Sequence, residues 1–121
     1  MSETPPPWAF VPFKPKDTPR DVWTAYHAFR RTRRDEAYPD DPLSPDDVTE
    51  ARMQHEDPFA EEDNALVLDG GRVVASFYSG WAKPGSPGYD SNRRFIWAGG
   101  HVLEPFRRRG IATAWFRRVL A

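Results

Sequence analysis

The sequence contains no cysteine, and this absence excludes three kinds of chemistry. Without a thiol, the chain has no disulfide scaffold, no cysteine nucleophile and no thiolate metal site. The sequence also lacks a long apolar run. It begins MSETPPPW, which is polar and rich in proline, and neither a signal-peptide core nor a membrane-spanning segment is visible. We therefore expect a cytoplasmic protein with no membrane partner.

The chain has no excess of charge of either sign. It carries 17 basic and 18 acidic residues, for a formal net charge of -1. The arginines form local clusters, and no nucleic-acid-binding motif is present, so a nucleic-acid module is disfavoured. Oligonucleotide binding that falls steeply with salt would revive that alternative. With 121 residues, of which 39% are hydrophobic, the chain has room for one domain with a core.

The first part of the chain predicts a tail, a strand and a helix. Residues 1–7 are predicted to be a flexible tail, because consecutive prolines cannot join a helix or a central strand. Alternating apolar residues over 8–13 predict an edge strand. Thr18-Pro19 combines a capping hydroxyl with proline at the first helical position, so a helix is predicted to begin there and to reach about Arg33.

A charged connection and a second helix are expected next. The basic run 30–34 is followed by the acidic segment 35–41, and we favour a solvated helix end compensated by loop acids. The alternative is that AYPDDP, within that connection, helps to bind a cationic ligand. Ser44-Pro45 predicts a surface helix that reaches about His55. No second histidine or carboxylate lies at metal-ligand spacing from His55, so no metal is expected.

The second half of the chain predicts a hairpin, a loop and a strand. Two β-rich runs within 65–78 flank the turn Asp69-Gly70-Gly71, which is typical of a β-hairpin. The composition of 83–92 (KPGSPGYDSN) predicts a loop. A strand is predicted over 94–102, where the pair Gly99-Gly100 indicates a bulge or a close approach of another backbone.

The stretch 102–121, VLEPFRRRGIATAWFRRVLA, predicts a strand end, a glycine loop and an amphipathic helix. Two sets of apolar residues recur there at helical spacing: Ile111, Trp115 and Val119, and Ala112, Phe116 and Leu120. Together they predict one broad apolar stripe. Arg117 and Arg118 are expected on the opposite side, in the last turn, where positive charge suits the helix dipole.

The start of this last helix has an unusual charge. Arg107, Arg108 and Arg109 crowd it although the dipole is already positive there, and no acidic or Ser/Thr cap is present. The arrangement suits a phosphate-like anion bound by free amides and arginine side chains, with Gly110 allowing close approach. The alternative is a basic loop in front of a surface helix.

A strand, then Arg107-x-x-Gly110-x-Ala112, then an apolar helix resembles the acetyl-CoA signature of the GNAT superfamily of N-acetyltransferases, Q/R-x-x-G-x-G/A. The resemblance implies that loop amides bind the pyrophosphate of coenzyme A and that the preceding strand pairs with the pantetheine arm. The cofactor-binding residues that it implies are Val102, Leu103, Arg107, Arg108, Arg109, Gly110, Ile111, Ala112 and Thr113. One departure is that the family often has proline where Glu104 stands, whereas here Pro105 follows.

The resemblance also implies a fold and an activity. The fold is α+β, with a mixed, mostly antiparallel sheet flanked by helices, and residues 8–121 form a partial domain truncated after the helix that follows the pyrophosphate loop. In the family the strand that holds Gly99-Gly100 is bulged. The activity is direct transfer of the acetyl group from acetyl-CoA, as co-substrate, to an amine of a small molecule or peptide.

His101 and Glu104 are the candidate catalytic residues. Acetyl transfer needs a base for the amine and polarisation of the thioester carbonyl, for which the backbone of Val102 and Leu103 is the expected contact. Strand alternation places the side chains of His101 and Glu104 on opposite faces, so at most one faces the cleft without a bulge. For both residues a structural role is the favoured alternative.

A different class of function is a non-catalytic half-domain. Later strands that the family uses to complete its sheet are not found in this sequence, so a homodimer, a second acetyltransferase domain or another partner chain is expected to complete it. The segment HAFRRTRRDEAYPDDP also resembles the first half of tandem acetyltransferases of the mycothiol-synthase kind. Poor solubility or dimerisation of the isolated chain, without turnover, would favour this alternative.

Overall fold

The protein is built on a four-stranded sheet with helices packed on both faces. The computed structural model describes residues 7–120, so the expected tail lies outside them except for Pro7. The strands are β1 (Trp8–Pro12), β2 (Ala60–Asp69), β3 (Arg72–Ala82) and β4 (Trp97–Val102). The helices are α1 (Arg20–Ala37), α2 (Asp46–Met53), α3 (Tyr89–Asn92) and α4 (Ile111–Val119). The α+β prediction is confirmed.

The strands lie in the sheet in chain order, β1-β2-β3-β4, and every pair is antiparallel within residues 7–120. The predicted hairpin is confirmed as β2 and β3, joined at Gly70 and Gly71. Both glycines have positive φ, 60° and 85°, as a two-residue hairpin turn of this hand requires. In the part of the chain that the structure describes, β4 is an edge strand that pairs only with β3.

Two apolar clusters cover the two faces of the sheet. One joins α1 to the sheet and contains Phe13, Trp23, Phe29, Leu66, Val73 and Leu103. The other joins α4 to the sheet and contains Ala65, Val67, Val74, Ala75, Phe77, Ile111 and Trp115. In the second cluster the rings of Phe77 and Trp115 stack with their centroids 5.4 Å apart. α4 is therefore anchored on β3, the sheet neighbour of the strand that precedes its loop.

α1 differs from its prediction at both ends. The Thr18 hydroxyl does not cap the helix but donates to the Lys14 carbonyl across 2.7 Å, and Pro19 occupies the N-cap position. At the other end the helix continues to Ala37, because the next helix-breaking residue is Pro39. The additional turn has a consequence for the site, since it carries the side chain of Glu36 to the end of β4.

The helix predicted after Ser44-Pro45, in contrast, is shorter than expected. α2 begins at Asp46 without a serine cap, because Pro45 takes the N-cap position and the Ser44 carbonyl accepts a hydrogen bond from Arg30. The helix ends at Met53, which leaves His55 exposed. The segment predicted as a loop over 83–92 contains the one-turn helix α3.

An ion network around the buried His27 joins α1 to α2. His27 Nε2 lies 2.9 Å from Glu50 Oε2, and the imidazole stacks on Trp23 with ring centroids 5.7 Å apart. Arg20 donates two hydrogen bonds to the Glu50 carboxylate, at 2.7 and 2.9 Å. The hydrogen bonds from Arg20, and then from His27, lower the pKa of Glu50 to about 2. This carboxylate therefore stays ionised over the ordinary pH range.

The glycine pair in β4 marks a close approach and not a bulge. The register with β3 is continuous from Gly80↔Trp97 to Ala75↔Val102, and the irregularity of the sheet lies instead between β2 and β3, where Val67 pairs with Ala75 and Leu68 with Val73. A Cβ atom on Gly99 would lie 2.6 Å from the Tyr78 hydroxyl, and one on Gly100 would collide with the Phe77 ring. Side chains of β3 thus occupy the space that side chains of β4 would need, so the expectation of a bulged β4 is wrong.

α4 buries a narrower stripe than the sequence predicted. Ile111 and Trp115 are buried and Val119 packs beside them, but Phe116 is 42% and Leu120 is 81% exposed. Arg118 does not point away from the core, because its guanidinium lies 4.8 Å from the centre of the Phe10 ring. α4 therefore packs only about one residue of each turn against the sheet. Among residues 7–120, no helix is both long and apolar enough to cross a membrane.

Candidate functional site at the start of the last helix

The connection from β4 to α4 turns sharply through two residues with left-handed backbone. After a single 3-10 turn over Glu104–Phe106, Arg108 has a φ of 63° and Gly110 has a φ of 84°. Gly110 is the N-cap of α4, and no atom beyond its chain neighbours lies within 4 Å of the position that its Cβ would take. The glycine is thus required by the backbone conformation, and its surroundings are open.

The first turn of α4 has no side-chain cap. The first main-chain bond of the turn runs from the Ala114 amide to the Gly110 carbonyl, so the amides of Ile111, Ala112 and Thr113 lack partners within the helix. They border a cavity of about 330 Å³. Its lining consists of Val102, Phe106, Arg107, Arg108, Gly110, Ile111, Ala112 and Thr113. The cavity is therefore positive at a helix N-terminus, which suits an anion.

Seven of the nine predicted cofactor-binding residues line this cavity, and two do not. Arg109 lies outside the lining, with its guanidinium 5.3 Å from the centre of the Phe106 ring. Leu103 is buried at 1% exposure, and its amide donates to the Val74 carbonyl across 2.9 Å. The Leu103 amide is therefore already bonded, which corrects the expectation that it is available to a thioester. Phe106 lines the cavity without having been predicted.

Val102 presents its backbone to the outer edge of the sheet. The bond from the Leu103 amide to Val74 fixes the alternation of the ladder, because inward-facing and outward-facing residues follow each other along an antiparallel strand. The amide and carbonyl of Val102, like those of Gly100, consequently face away from β3. This stretch of edge is continuous with the cavity, since Val102 lines both.

The side chain of Arg107 lies across that edge. Its Nε donates to the Val102 carbonyl at 2.9 Å, and its Nη2 lies 3.4 Å from Glu36 Oε1. The guanidinium is about half exposed, so it remains within reach of a ligand in the cavity. The Arg107 side chain is therefore a structural link, or strut, that connects the loop to β4 and to the end of α1.

Glu36 is a residue of this site that the sequence did not reveal. Besides Arg107, its carboxylate accepts hydrogen bonds from His101 Nε2 at 3.2 Å and from the Glu104 amide at 3.1 and 3.2 Å. Three segments thus meet at one largely buried carboxylate. In the sequence Glu36 is one acid beside a basic run, and its partners lie 65 to 71 residues away, so no local pattern could have identified it.

The two candidate bases occupy different surroundings. The His101 ring lies on the α1 face of the sheet, 6.2 Å from the Phe29 ring centroid, and its side chain is 15% exposed. Glu104 lies not in β4 but in the 3-10 turn, and it is exposed. The structure therefore brings His101 together with Glu36 and leaves Glu104 at the surface. Within the described residues, no group of three or more potential metal ligands is found.

The basic run of α1 is compensated mainly by acids other than those of the loop. Arg30 and Arg31 approach the Asp46 carboxylate at 3.4 and 2.7 Å, and Arg34 binds Asp35 at 2.8 Å. Asp40 and Asp41 are exposed, and neither takes part in a described ion pair. The expected compensation is therefore supplied chiefly by α2.

Comparison with known proteins identifies a fold. No family model matches the chain, and no curated protein matches it. Among solved structures, it is similar to a protein described as "Tandem GNAT protein from the clavulanic acid biosynthesis pathway (without AcCoA)", with a TM-score of 0.66 and 20% sequence identity. The match covers 92% of this chain and 31% of that protein, so the chain spans about a third of the length of its structural neighbour. The chain has a GNAT-like fold.

Proposed function

We propose that the chain is an N-acetyltransferase domain that binds acetyl-CoA and transfers the acetyl group to an amine by direct attack. The observation that carries the proposal is the cavity between the outer edge at Val102 and the uncapped start of α4. Seven residues of the predicted cofactor set line it. Its amides, dipole and arginines suit the pyrophosphate of coenzyme A. The tandem neighbour supports the proposal only through its fold.

The residues present fit such a co-substrate. The amides of Ile111, Ala112 and Thr113 would hold the pyrophosphate, with Arg108 as a charged contact that no described hydrogen bond engages. The outward amide of Val102 would bond the arm or the thioester carbonyl. Bound acetyl-CoA supplies the activated acetyl group, and the protein supplies position and charge stabilisation.

Of the two candidate bases, His101 has the better geometry. The Glu36 carboxylate next to Nε2 favours a tautomer that carries its hydrogen on Nε2, so Nδ1 is left to accept a proton from the amine. Glu104 is exposed to solvent and only its amide is held. We therefore assign the base to His101 and a loop-positioning role to the backbone of Glu104.

A second candidate function is a non-catalytic half-domain that packs against a second acetyltransferase domain, a partner chain or a second copy. Large apolar side chains are exposed near the β4 edge and on α4: Phe95, Ile96, Trp97, Phe116 and Leu120. An edge strand with outward backbone groups is a template for another strand. The tandem organisation of the structural neighbour favours a second domain of the same kind as the occupant.

Turnover separates these two functions. The chain is incubated with acetyl-CoA and a panel of small amines and peptides, and release of the free thiol is followed. Direct transfer predicts an acetylated amine, and His101→Gln should lower kcat by about 100-fold or more, the usual contribution of a general base. Glu104→Gln is the control and should retain kcat. A folded chain that shows no turnover with any amine would favour the half-domain.

A further inference from the structure

A second positive cavity lies between α1, the connection to α2 and α2 itself. Its volume is about 450 Å³, within the range of small-molecule sites. Four arginines line it, and the described lining contains one acid: Arg30, Arg33, Arg34 and Arg52, with Asp41. This charge is the opposite of what a cationic ligand needs, so a role of the AYPDDP connection in seating a cation finds no support here.

The cavity wall contains a buried hydroxyl without a partner. Thr49 is 3% exposed and lines the cavity, and its Oγ1 makes no hydrogen bond within the described residues. Buried hydroxyl groups are nearly always hydrogen-bonded in native proteins. Thr49, which borders the positive cavity, therefore holds a hydrogen-bond donor that no group of the described residues uses.

The arginines around the cavity are of two kinds. The guanidinium of Arg30 is fixed, because it donates to the Ser44 carbonyl at 2.9 Å and also contacts His27 and Asp46. Arg34 binds Asp35 at 2.8 Å, whereas the side chains of Arg33 and Arg52 enter none of the described hydrogen bonds or ion pairs. Two of the four arginines are thus paired within the protein, while two have guanidinium groups available to a ligand.

Tyr26, which also lines the cavity, lies within the electrostatic influence of three of these arginines. Burial raises the pKa of the Tyr26 phenol, and the positive charges of Arg30, Arg33 and Arg52 oppose that rise. The three arginines therefore act on one point of the wall. Tyr26 itself is held by aromatic packing, with its ring centroid 4.8 Å from that of Phe13. Tyr26 and these three arginines all line the cavity, so their positive charge lies at its wall.

We propose that this cavity binds the carboxylate or phosphate group of a small molecule. Arg33 and Arg52 supply charge-assisted hydrogen bonds, and rotation of the Thr49 side chain lets its hydroxyl donate a further one. The role of this cavity rests on the proposed function. In an N-acetyltransferase, the anionic group belongs to the acceptor. The acceptor is then an amine that also carries a carboxylate or phosphate. Binding of the anion itself does not depend on transfer activity.

The test is an amide-resolved NMR titration of the full chain with inorganic phosphate and, separately, with succinate. We expect the amides of Thr49 and Arg52 to shift with both probes, and the tighter probe identifies the preferred group. Arg52→Ala should weaken binding about tenfold. Arg31→Ala removes the same charge from the exposed side of α1 and should leave the affinity unchanged. Thr49→Val should weaken binding about fivefold without loss of stability, because the hydroxyl has no internal partner.

Two results would overturn the proposal: shifts confined to Gly110–Thr113, or equal affinities in the Arg52 and Arg31 variants. Titration of the same sample with coenzyme A reports separately on the proposed function through the amides of Gly110–Thr113. If those amides do not respond while Thr49 responds to phosphate, the anion site stands and its assignment to an acetyl acceptor fails.

Discussion

Arg107 donates a hydrogen bond from Nε to the carbonyl of Val102 across 2.9 Å, and so closes the outward-facing end of β4 with a side chain of the glycine loop. The contact ties the residue of the predicted motif to the strand that precedes it. Because Val102 and Arg107 both line the cavity, the same arginine can act as a strut and as a charge for a bound anion.

The two roles of Arg107 can be separated by substitution. In Arg107→Gln the side-chain amide nitrogen occupies the place of Arg Nε, so the bond to Val102 is kept while the charge is lost. We expect its unfolding free energy to stay within about 0.5 kcal/mol of the parent, because the partly exposed link to Glu36 contributes little. Coenzyme A affinity should fall about tenfold. Arg107→Ala removes both the hydrogen bond to Val102 and the charge, so both the unfolding free energy and the coenzyme A affinity should fall. Calorimetry and urea unfolding check this, and equal stabilities of the two variants would disprove the strut.

Glu36 should contribute more to stability than an ordinary surface acid. Glu36→Ala leaves the Glu104 amide and His101 without their acceptor, which we expect to cost about 1–3 kcal/mol in urea unfolding. Hydrogen exchange should accelerate at the last turn of α1 and at residues 101–107. The matched control is Glu56→Ala, because Glu56 pairs with Lys16 at the exposed surface and should cost less than about 1 kcal/mol. Equal losses in the two variants would contradict the account.

The ion network of Glu50 predicts a pH dependence of stability. Its folded pKa of about 2 lies below its ordinary value, so the ionised folded form is favoured. The contribution is fully present above the ordinary pKa of a glutamate and is lost as the pH falls toward 2. Unfolding free energies measured between pH 6 and pH 3 should therefore fall less steeply in Glu50→Gln than in the parent. Parallel pH profiles of the two proteins would refute the assignment.

Burial on α4 predicts losses of stability of very different size from substitution of two neighbouring aromatic residues. Trp115 is 1% exposed and stacks on Phe77, so Trp115→Ala should cost about 3–5 kcal/mol of unfolding free energy. Trp115→Phe should cost less, because the indole N–H has no described partner to lose. Phe116→Ala should cost no more than about 1 kcal/mol. Urea unfolding of the three variants tests this, and a large loss at Phe116 would mean that this face packs against another surface.

Local chemistry made most of the fold predictable. The Gly70-Gly71 turn and the β-rich runs around it fix a hairpin, and Gly110 between a strand and an apolar helix fixes the loop. The helix caps were mispredicted because a proline after Ser or Thr took the N-cap position itself. The width of the buried stripe on α4 was also mispredicted. Periodicity shows which residues share a face, but only packing decides how much of that face is covered.

The site was predictable where its chemistry is contiguous in the sequence. Most of the predicted cofactor-binding residues line the cavity, because they are neighbours in the glycine loop and the first turn of α4 and therefore surround the same space. Glu36 and the cavity near Thr49 could not be predicted, since each depends on contacts between distant segments. The bonded amide of Leu103 depends on the register with β3, which one strand alone does not specify.

The most direct test of the central claim is the dissociation constant of coenzyme A, measured by calorimetry for the chain and for two glutamate variants. Gly110→Glu places a negative charge and a side chain at the start of α4. Gly85→Glu is the matched control, because Gly85 has the same φ of 84° and equally open surroundings. The account predicts micromolar binding by the parent and the Gly85 variant and none by the Gly110 variant. Absence of binding by a folded parent, or equal binding by all three proteins, would contradict it.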